Sequence, residues 1–475
     1  MRLTQQKGLF TLLPLVALAG CTVGPKYVRP AASTPASFRG LAPAIDQAVG
    51  HQDSLGDQKW VEVFRDPALQ ALIREALANN DDLKIAAQHI LEQQDVLGIT
   101  HSQQFPLVSG GGSYSVVGLP SSFVKSLAGD TPTSNKAWAG GLSLSAAWNL
   151  DFWGLYRRQT EAARAQLLAS EWGQRMVVST VIENVATSYF QLRTLHAELA
   201  ITRQTVAARE QSLQLIKTLN QGGSGTLADV RQAEELLHTA QAEIPNLERQ
   251  IAQQENAISV LLGRNPGPIP LDAQPTQWPR PETIPAGIPS QLLERRPDIQ
   301  QAEAALIAAN ANIGVARAQL FPQLSLSGSG GTYSNQLKSL MNGENMYFLA
   351  SGNLAQTIFD GGRLRSNVRL SEAQKQEQVV VYQCTIRQAL QSVSDALVGV
   401  QKYREYSAEQ EIVTTAAEDA TRLAKMRYNG GSTNYLEVLV NDTNYYSAQM
   451  NLAVAREQEA VSFVQLYSAL GGGWK

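Results

Sequence analysis

The side chains that most often carry catalysis are scattered through this sequence of 475 residues. The histidines show none of the spacings typical of a metal site. They are His51, His89, His101, His196 and His238. The glycine clusters at 110–112 and 328–330 lack the lysine or further glycine of a phosphate-binding loop. We therefore expect no catalytic centre, no metal site and no cofactor. The near balance of 39 basic and 42 acidic residues also argues against nucleic acid as a partner.

Cys21 is the residue whose surroundings predict a specific chemical modification. Residues 1–20 have the order of a secretory signal peptide, with two basic residues before an apolar run over 9–18 that is too short to span a bilayer. The motif Leu-Ala-Gly-Cys ending at Cys21 resembles the lipobox of bacterial lipoproteins, in which the cysteine sulfur is acylated. We predict that Cys21 is lipidated. Thr22, which is not an aspartate, favours the outer membrane.

The elements that position other functional residues come from an internal duplication. Asp229 recurs as Glu437, 208 residues later, and Phe105 recurs as Phe321, 216 residues later. The two halves therefore differ by eight residues in the stretch between these landmarks, which we expect to be a surface loop.

The duplication predicts a domain plan. A signal peptide over 1–20 precedes a lipidated extended segment over 21–60, a first repeat over 61–262, a proline-rich equatorial linker over 263–289 and a second repeat over 290–475. Eight prolines in the linker exclude a helix interior and a central strand. Each repeat is expected to contain a helix, a β-hairpin and a long helical hairpin.

The helical hairpins are predicted from the hydrophobic period. Apolar residues recur every three or four positions from Val178 to Leu199, and no proline interrupts residues 157–219. A helix of some sixty residues would be about 90 Å long. After a turn at 222–226 the same spacing continues, so the two helices should form an antiparallel coiled coil. The second repeat has the same plan, with its tip at 430–434.

The β-hairpins are predicted where the period falls to two, at about 105–150 and about 321–358. Apolar residues alternate there with small or polar ones. Aromatic residues near the strand ends suit the interfacial girdles of a membrane barrel. They are Trp138, Trp148, Phe152, Trp153, Tyr333 and Tyr347. The alternative is a pair of amphipathic hairpins in a soluble sheet.

Four strands cannot close a barrel, and each unpaired backbone group in lipid costs several kcal/mol. Two copies would give eight strands around a filled interior, whereas three would give twelve strands around a lumen. Small residues on the inner face, Gly141, Ser143 and Ser145, favour the lumen. The predicted fold is mainly α with transmembrane β. Three copies share a 12-stranded barrel, which an α-barrel of long helices continues.

The chain resembles the TolC-like outer-membrane efflux proteins, in the lipoprotein branch typified by OprM and NodT. The likeness rests on Cys21 to Pro25, Trp60 to Leu69, Pro289 to Ile299 and Leu436 to Leu439, and it covers nearly the whole mature chain. It implies a lipid-anchored homotrimer of the outer membrane, with a large periplasmic portion, that passively conducts drugs or other small molecules. It also implies two partners, a periplasmic adaptor (membrane fusion protein) and an inner-membrane pump of the resistance-nodulation-division type.

The resemblance implies roles for residues near the tips. Asp229 and Glu437 match acidic positions that line a closed entrance, and Tyr428 matches a tyrosine that helps to hold it shut. For the carboxylates, a solvated face of the coiled coil is an equally weighted alternative.

Two positions depart from the family pattern. Val440 stands where relatives often carry a second entrance aspartate, and Thr433 stands where some carry an arginine. Asp442 is the candidate substitute for the missing aspartate. The network that locks the entrance in relatives is therefore not assumed to be intact.

The glycine-rich tips are the expected contact surface for the adaptor, because they would lie farthest from the membrane. These residues are Gly222, Gly223, Ser224, Gly225, Gly430, Gly431 and Ser432. The competing function is a periplasmic coiled-coil lipoprotein with a structural or adaptor role and no pore. The sequence names neither the exported compound nor the cognate pump.

Overall fold

The computed structural model describes residues 22–32, 34–35, 37–39, 54–118, 120, 122, 136–271 and 287–474. The predicted signal peptide and Cys21 lie outside these residues, as does most of the proline-rich linker. The chain divides into two compact units. The first comprises Met1–Pro30, Leu91–Ala169 and Glu303–Val381, and the second comprises Ala31–Ile90, Ser170–Ala302 and Tyr382–Lys475. Each unit therefore draws on both halves of the sequence.

The described elements follow the same order in each repeat. The first repeat has α1 (Trp60–Val63), α2 (Pro67–Asn79), α3 (Asp81–Ser102), β1 (Leu107–Gly118), β2 (Lys136–Leu150), α4 (Leu155–Gln221) and α5 (Leu227–Leu261). The second has α6 (Leu292–Arg295), α7 (Pro297–Ala318), β3 (Gln323–Ser334), β4 (Met346–Ala355), α8 (Arg363–Asn429) and α9 (Tyr435–Ala469). No helix among the described residues is both long enough and apolar enough to cross a membrane.

The first unit contains one antiparallel sheet in the order β1-β2-β3-β4. Its hairpins have the same register: Gly111 pairs with Ser143 in the first, and their counterparts Ser327 and Ser351 pair in the second. The prediction of a mainly helical chain with four strands is therefore confirmed. The last strand ends at Ala355 rather than near 358, because its pairing partner β3 begins at Gln323.

The two faces of the sheet differ in chemistry because paired residues project to the same side. One face carries large apolar side chains such as Leu144 and Leu354. The opposite face carries serines, with hydroxyl contacts of 2.8 Å between Ser109 and Ser145 and between Ser327 and Ser351.

Tyr333 and Tyr347 lie on the serine face. Tyr347 pairs with Gly331 and Tyr333 pairs with Gly141, whereas Trp148 belongs to the opposite, apolar side. The prediction that both tyrosines share an interfacial girdle with Trp148 was therefore wrong. The Tyr333 side chain is well exposed in a single copy, at 60%.

The second unit has a helical core that explains one of the sequence motifs. Asp66 caps α2 by accepting from the Ala68 amide at 2.9 Å, and it also accepts from the buried Tyr189 hydroxyl at 2.6 Å. Phe64 packs edge-on against Tyr467, with 5.6 Å between ring centroids. Burial of each large apolar side chain contributes about 1.5–3 kcal/mol. The motif from Trp60 to Leu69 thus attaches the start of α2 to the core.

The motif from Pro289 to Ile299 holds the end of the last helix. The Arg296 guanidinium donates to the Ala469 carbonyl at 2.7 Å, and Arg295 donates to the Leu470 carbonyl at 3.3 Å. In the first repeat, the side-chain amide Nδ2 of Asn80 donates at 2.9 Å to the carbonyl of Leu261, the counterpart of Ala469. In both repeats, therefore, a side chain donates a hydrogen bond to the equivalent carbonyl at the end of the last long helix (α5 or α9). The donor lies just before the 22-residue helix of the same repeat (α3 or α7).

Candidate entrance site at the helical hairpin tips

The hairpin tips share a small apolar core in the second unit. Its buried residues come from both repeats. They are Leu213, Ile216, Val230, Ala233, Leu237, Ala424, Tyr435, Val438 and Leu439. This cluster brings together α4, α5, α8 and α9, so the predicted gate residues occupy one region.

The first tip is closed by backbone hydrogen bonds. Gly223 has φ +78°, a conformation that favours glycine, and the Ser224 amide donates to the Leu219 carbonyl at 2.9 Å. Thr226 and Asp229 then form a reciprocal capping box at the start of α5. Asp229 accepts from the Thr226 hydroxyl at 2.7 Å, while its amide donates to that oxygen at 3.1 Å. The carboxylate of Asp229 therefore has a local structural role as a helix cap.

The second tip repeats the turn but changes the cap. Gly431 has φ +70°, and Asn434 accepts from the Glu437 amide at 3.2 Å. The carboxylate of Glu437 instead accepts from the Thr433 hydroxyl and pairs with Arg427 at 2.7 Å. Thr433, where some relatives carry an arginine, is thus a direct partner of Glu437, and Arg427 supplies the positive charge.

Asp442 is the centre of the ion-pair network at this site. Its carboxylate pairs with Arg209 at 2.9 Å and with Lys425 at 3.8 Å. Arg209 is 6% exposed and also donates to the Leu236 carbonyl at 2.8 Å, while its guanidinium lies 5.4 Å from the centre of the Tyr446 ring. Because Arg209 belongs to the first repeat and Asp442 to the second, this pair joins the two hairpins.

Tyr428 lies against Tyr435, with 5.4 Å between their ring centroids. Burial, and then the negative charge of Asp229, raises the pKa of Tyr428. Burial, followed by the charges of Asp442 and of neighbouring groups, raises the pKa of Tyr435 to about 12. Both phenols are therefore neutral donors at physiological pH. Val440, in contrast, is 50% exposed on the surface of α9.

Sequence reasoning missed Arg209 and Arg427. Arg209 carried a signal: with Val206, Leu213 and Ile216 it continues an apolar stripe at helical spacing. A charged residue in such a stripe needs a buried partner. Arg427 had no comparable signal, because it lies in the exposed last turn of its helix.

The residues after Cys21 lie in the first unit and are held there at several points. The Val23 amide donates to the Trp153 carbonyl at 3.0 Å, and Arg158 donates to the carbonyls of Val23 and Gly24 at 3.2 and 3.3 Å. Gly24 has φ +116°, and a Cβ there would lie 2.5 Å from the Cα of Gly314. Position 24 of the Cys21 to Pro25 motif therefore requires glycine, because a side chain there would clash with the backbone of Gly314.

Within a single copy, the described residues contain no group of three or more histidine, cysteine or acidic side chains that could hold a metal ion. Asp229 and Glu437 have separate local partners.

Comparison with known proteins places these features in a family. A family sequence profile described as outer membrane efflux protein matches residues 72–264 and 288–472. The solvent efflux pump outer membrane protein SrpC of Pseudomonas putida is 36% identical over 98% of both chains. The cation efflux system protein CusC of Escherichia coli O6:H1 is 34% identical, covering 98% of this chain and 99% of CusC. The solved open state of the MtrE outer membrane channel of Neisseria gonorrhoeae has a TM-score of 0.84 at 28% identity, covering 96% of this chain and 99% of MtrE.

Proposed function

This chain belongs to the outer membrane efflux protein family and is an outer-membrane component of an efflux system, and we propose that it passively conducts drugs or other small molecules to the exterior. The single observation that carries this proposal is that one chain contains two features suited to a channel. One is a β-sheet with an apolar face and a hydroxyl-lined face, and the other is a pair of helical hairpin tips that carry charged residues. The chain supplies a path and performs no chemical step. Relatives named for solvent and for cation efflux support selection of the cargo by another component.

We propose that three copies form the channel. Four strands are too few for a closed barrel, and twelve surround a lumen. The serine face would line that lumen and the apolar face would contact lipid.

The proposed entrance gate consists of Asp229, Glu437, Tyr428 and Asp442. Its support is the ion pair between Asp442 and Arg209, which ties the two hairpins of one chain together beside these residues. The tyrosine pair adds an apolar contact beside it.

The proposed partners are a periplasmic adaptor and an inner-membrane pump of the resistance-nodulation-division type. The adaptor would contact the glycine-rich tips, which expose backbone and little side chain. Gly222→Trp with Gly430→Trp suits a test, because a Cβ at these glycines would lie 3.4–3.5 Å from the nearest atom, whereas Gly223 and Gly431 have positive φ. Efflux should fall while trimer assembly stays normal. Normal efflux would remove the basis for this contact, and the matched double alanine variant is the control.

The proposed anchor is an acylated Cys21, which retains the protein at the outer membrane. Support comes from the contacts that hold Val23 beside Trp153, next to the end of β2. Cys21→Ala should abolish fatty-acid labelling yet leave some channel in the membrane through its strands. Labelling of this variant would refute the assignment.

The experiment that tests the function combines native mass spectrometry with planar-bilayer recording of detergent-extracted protein. Three copies and a steady ion current are expected. A protein released from membranes by removal of its lipid, with no current, would support the lipoprotein without a pore instead.

A further inference from the structure

The sheet leaves one edge open on each side. Within the described residues, β1 pairs only with β2, and β4 pairs only with β3. An open edge in lipid leaves a row of backbone donors and acceptors without partners. The proposed trimer would bring β4 of one copy beside β1 of the next.

The junction inside the chain gives the pairing at this seam. In the chain, β2 of the first repeat pairs with β3 of the second, with Ser143 opposite Gly331. A ring of alternating repeats needs the same kind of junction between copies, where β4 takes the place of β2 and β1 takes the place of β3. The residue 208 positions after Ser143 is Ser351, and the residue 216 positions before Gly331 is Ser115.

We infer that β4 of one copy pairs antiparallel with β1 of the next, with Ser351 opposite Ser115 and every other pair fixed by that register. This inference rests on the proposed trimer and adds the residue-level seam, which the strand count alone does not specify. The structure supports the use of one junction to infer the other. Adding 216 to the β1 residue and 208 to the β2 residue of a pair in the first hairpin gives a pair observed in the second hairpin.

The inferred register is consistent with the chemistry of the serine face. It places Asn353 opposite Ser113, so that polar side chains meet. It also places Leu349 opposite Val117, which brings together two exposed apolar residues of this face. A shift of one residue would put serines opposite lipid-facing side chains, since strand residues alternate between faces.

The inferred register also fits the size of the side chains. Tyr114, 72% exposed in a single copy, lies opposite Gly140 on its β2 side, where a Cβ would be 3.4 Å from the Tyr114 ring. Across the seam, Tyr114 meets Gly352. The ring therefore has a glycine on both sides, whereas a shift of two residues would replace Gly352 by Ala350 or Leu354.

Disulfide trapping tests the register. In a Cys384→Ser background, which removes the free thiol of the described residues, Ser115→Cys with Ser351→Cys should cross-link on mild oxidation of outer membranes. Directly opposite strand residues have Cα atoms about 4.5–5.5 Å apart, within the range of a disulfide. Most of the protein should then migrate as a covalent trimer on a non-reducing gel.

The matched control is Ser109→Cys with Ser351→Cys, on the same strands and the same face. Ser109 lies six residues from Ser115, or about 20 Å along the strand, so this variant should remain monomeric on the gel. If the paired variant assembles poorly, Ser113→Cys with Asn353→Cys tests the same register one step along.

The failure of this inference and that of the proposed trimer are distinguishable. Trimers by native mass spectrometry that cross-link through the Ser109 variant, or through neither predicted pair, would overturn the register alone. Conducting monomers would overturn the trimer as well.

Discussion

The two hairpin tips have the same backbone plan but a different distribution of charge. Each carries a lysine and carboxylate pair at equivalent positions: Lys217 with Glu234 at 3.1 Å in the first repeat, and Lys425 with Asp442 at 3.8 Å in the second. Only Asp442 also has a buried arginine, which comes from the other repeat. The residue equivalent to that arginine in the second repeat is Ala417.

The difference shows which contacts duplication preserves. The lysine pairs lie within one repeat and are kept, whereas the arginine contact joins two repeats and occurs once. Within a chain, Arg209 of the first repeat meets Asp442 of the second. In a ring of alternating repeats the equivalent residues would meet between copies, so Ala417 of one copy would face Glu234 of the next. The two hairpins of a chain are thus tied together, while hairpins of neighbouring copies in the proposed trimer would lack the equivalent ion pair.

The largest expected effect comes from removing the arginine. Arg209→Ala leaves Asp442, a largely buried carboxylate, with Lys425 alone, and it also loses the bond to the Leu236 carbonyl. We expect a loss of about 2–3 kcal/mol in unfolding free energy, since breaking a buried pair leaves an uncompensated charge. Thermal unfolding of purified protein measures it. Arg231→Ala, at the exposed pair with Glu234, is the control and should leave the melting temperature almost unchanged.

A smaller effect should follow from making the repeats alike. Ala417→Arg would add an arginine opposite Glu234 of the next copy, beside its existing partners Lys217 and Arg231, and hold the entrance closed. The added pair should lower the open probability by a few-fold at most, because exposed pairs are weak. Bilayer recordings of the variant test this, and a further Glu234→Gln change should restore opening. Unaltered gating in Ala417→Arg trimers would mean that these positions do not meet.

The entrance carboxylates should differ in their effect on ion selectivity. In a trimer, Asp229 and Glu437 would supply six negative charges that favour cations and divalent block. Glu437 is partly neutralised by Arg427, whereas the donors to Asp229 are the neutral amide and hydroxyl of Thr226. Asp229→Asn should therefore reduce cation preference more than Glu437→Gln, and the double variant should reduce it most. If all three variants form intact trimers with the ion selectivity of the wild type, these carboxylates do not line the entrance.

The smallest effect concerns a half-buried acid that the second repeat lacks. Burial, and then the charges of Glu457 and Glu243, raises the pKa of Glu198 to about 7. The equivalent residue is Tyr406. A raised carboxyl pKa gives stability that is present below about pH 4.5 and is lost as the pH rises through about 7.

Glu198→Gln should therefore raise the melting temperature at pH 8 by a few degrees, on the order of 1 kcal/mol, and leave it nearly unchanged at pH 4.5. Glu405→Gln is the control, because Lys402 lowers the pKa of that exposed carboxyl. It should not raise the melting temperature at pH 8. Parallel pH profiles for the wild type and Glu198→Gln would contradict the prediction.

Spacing in the sequence predicted the repeated elements because a period of 3.6 or 2 reports directly on helix or strand. It did not predict the ion pair between Arg209 and Asp442, since a contact between residues 233 positions apart depends on how four helices pack. The error over Tyr333 was avoidable. Tyr333 has the same odd parity as Ser327 and Ser329, so alternation alone placed it on the serine face.

The repeated register has a consequence for how such a protein can evolve. A ring built from single-repeat chains has one kind of seam, so a mutation that alters one junction alters them all. A chain with two repeats has an internal seam and an external seam, and each can be mutated separately. Arg209 and Ala417 are such a difference: the internal junction has an ion pair that the external one would lack in the proposed trimer. Fusion of two repeats in one chain therefore lets rigidity be assigned to one set of junctions and mobility to the other.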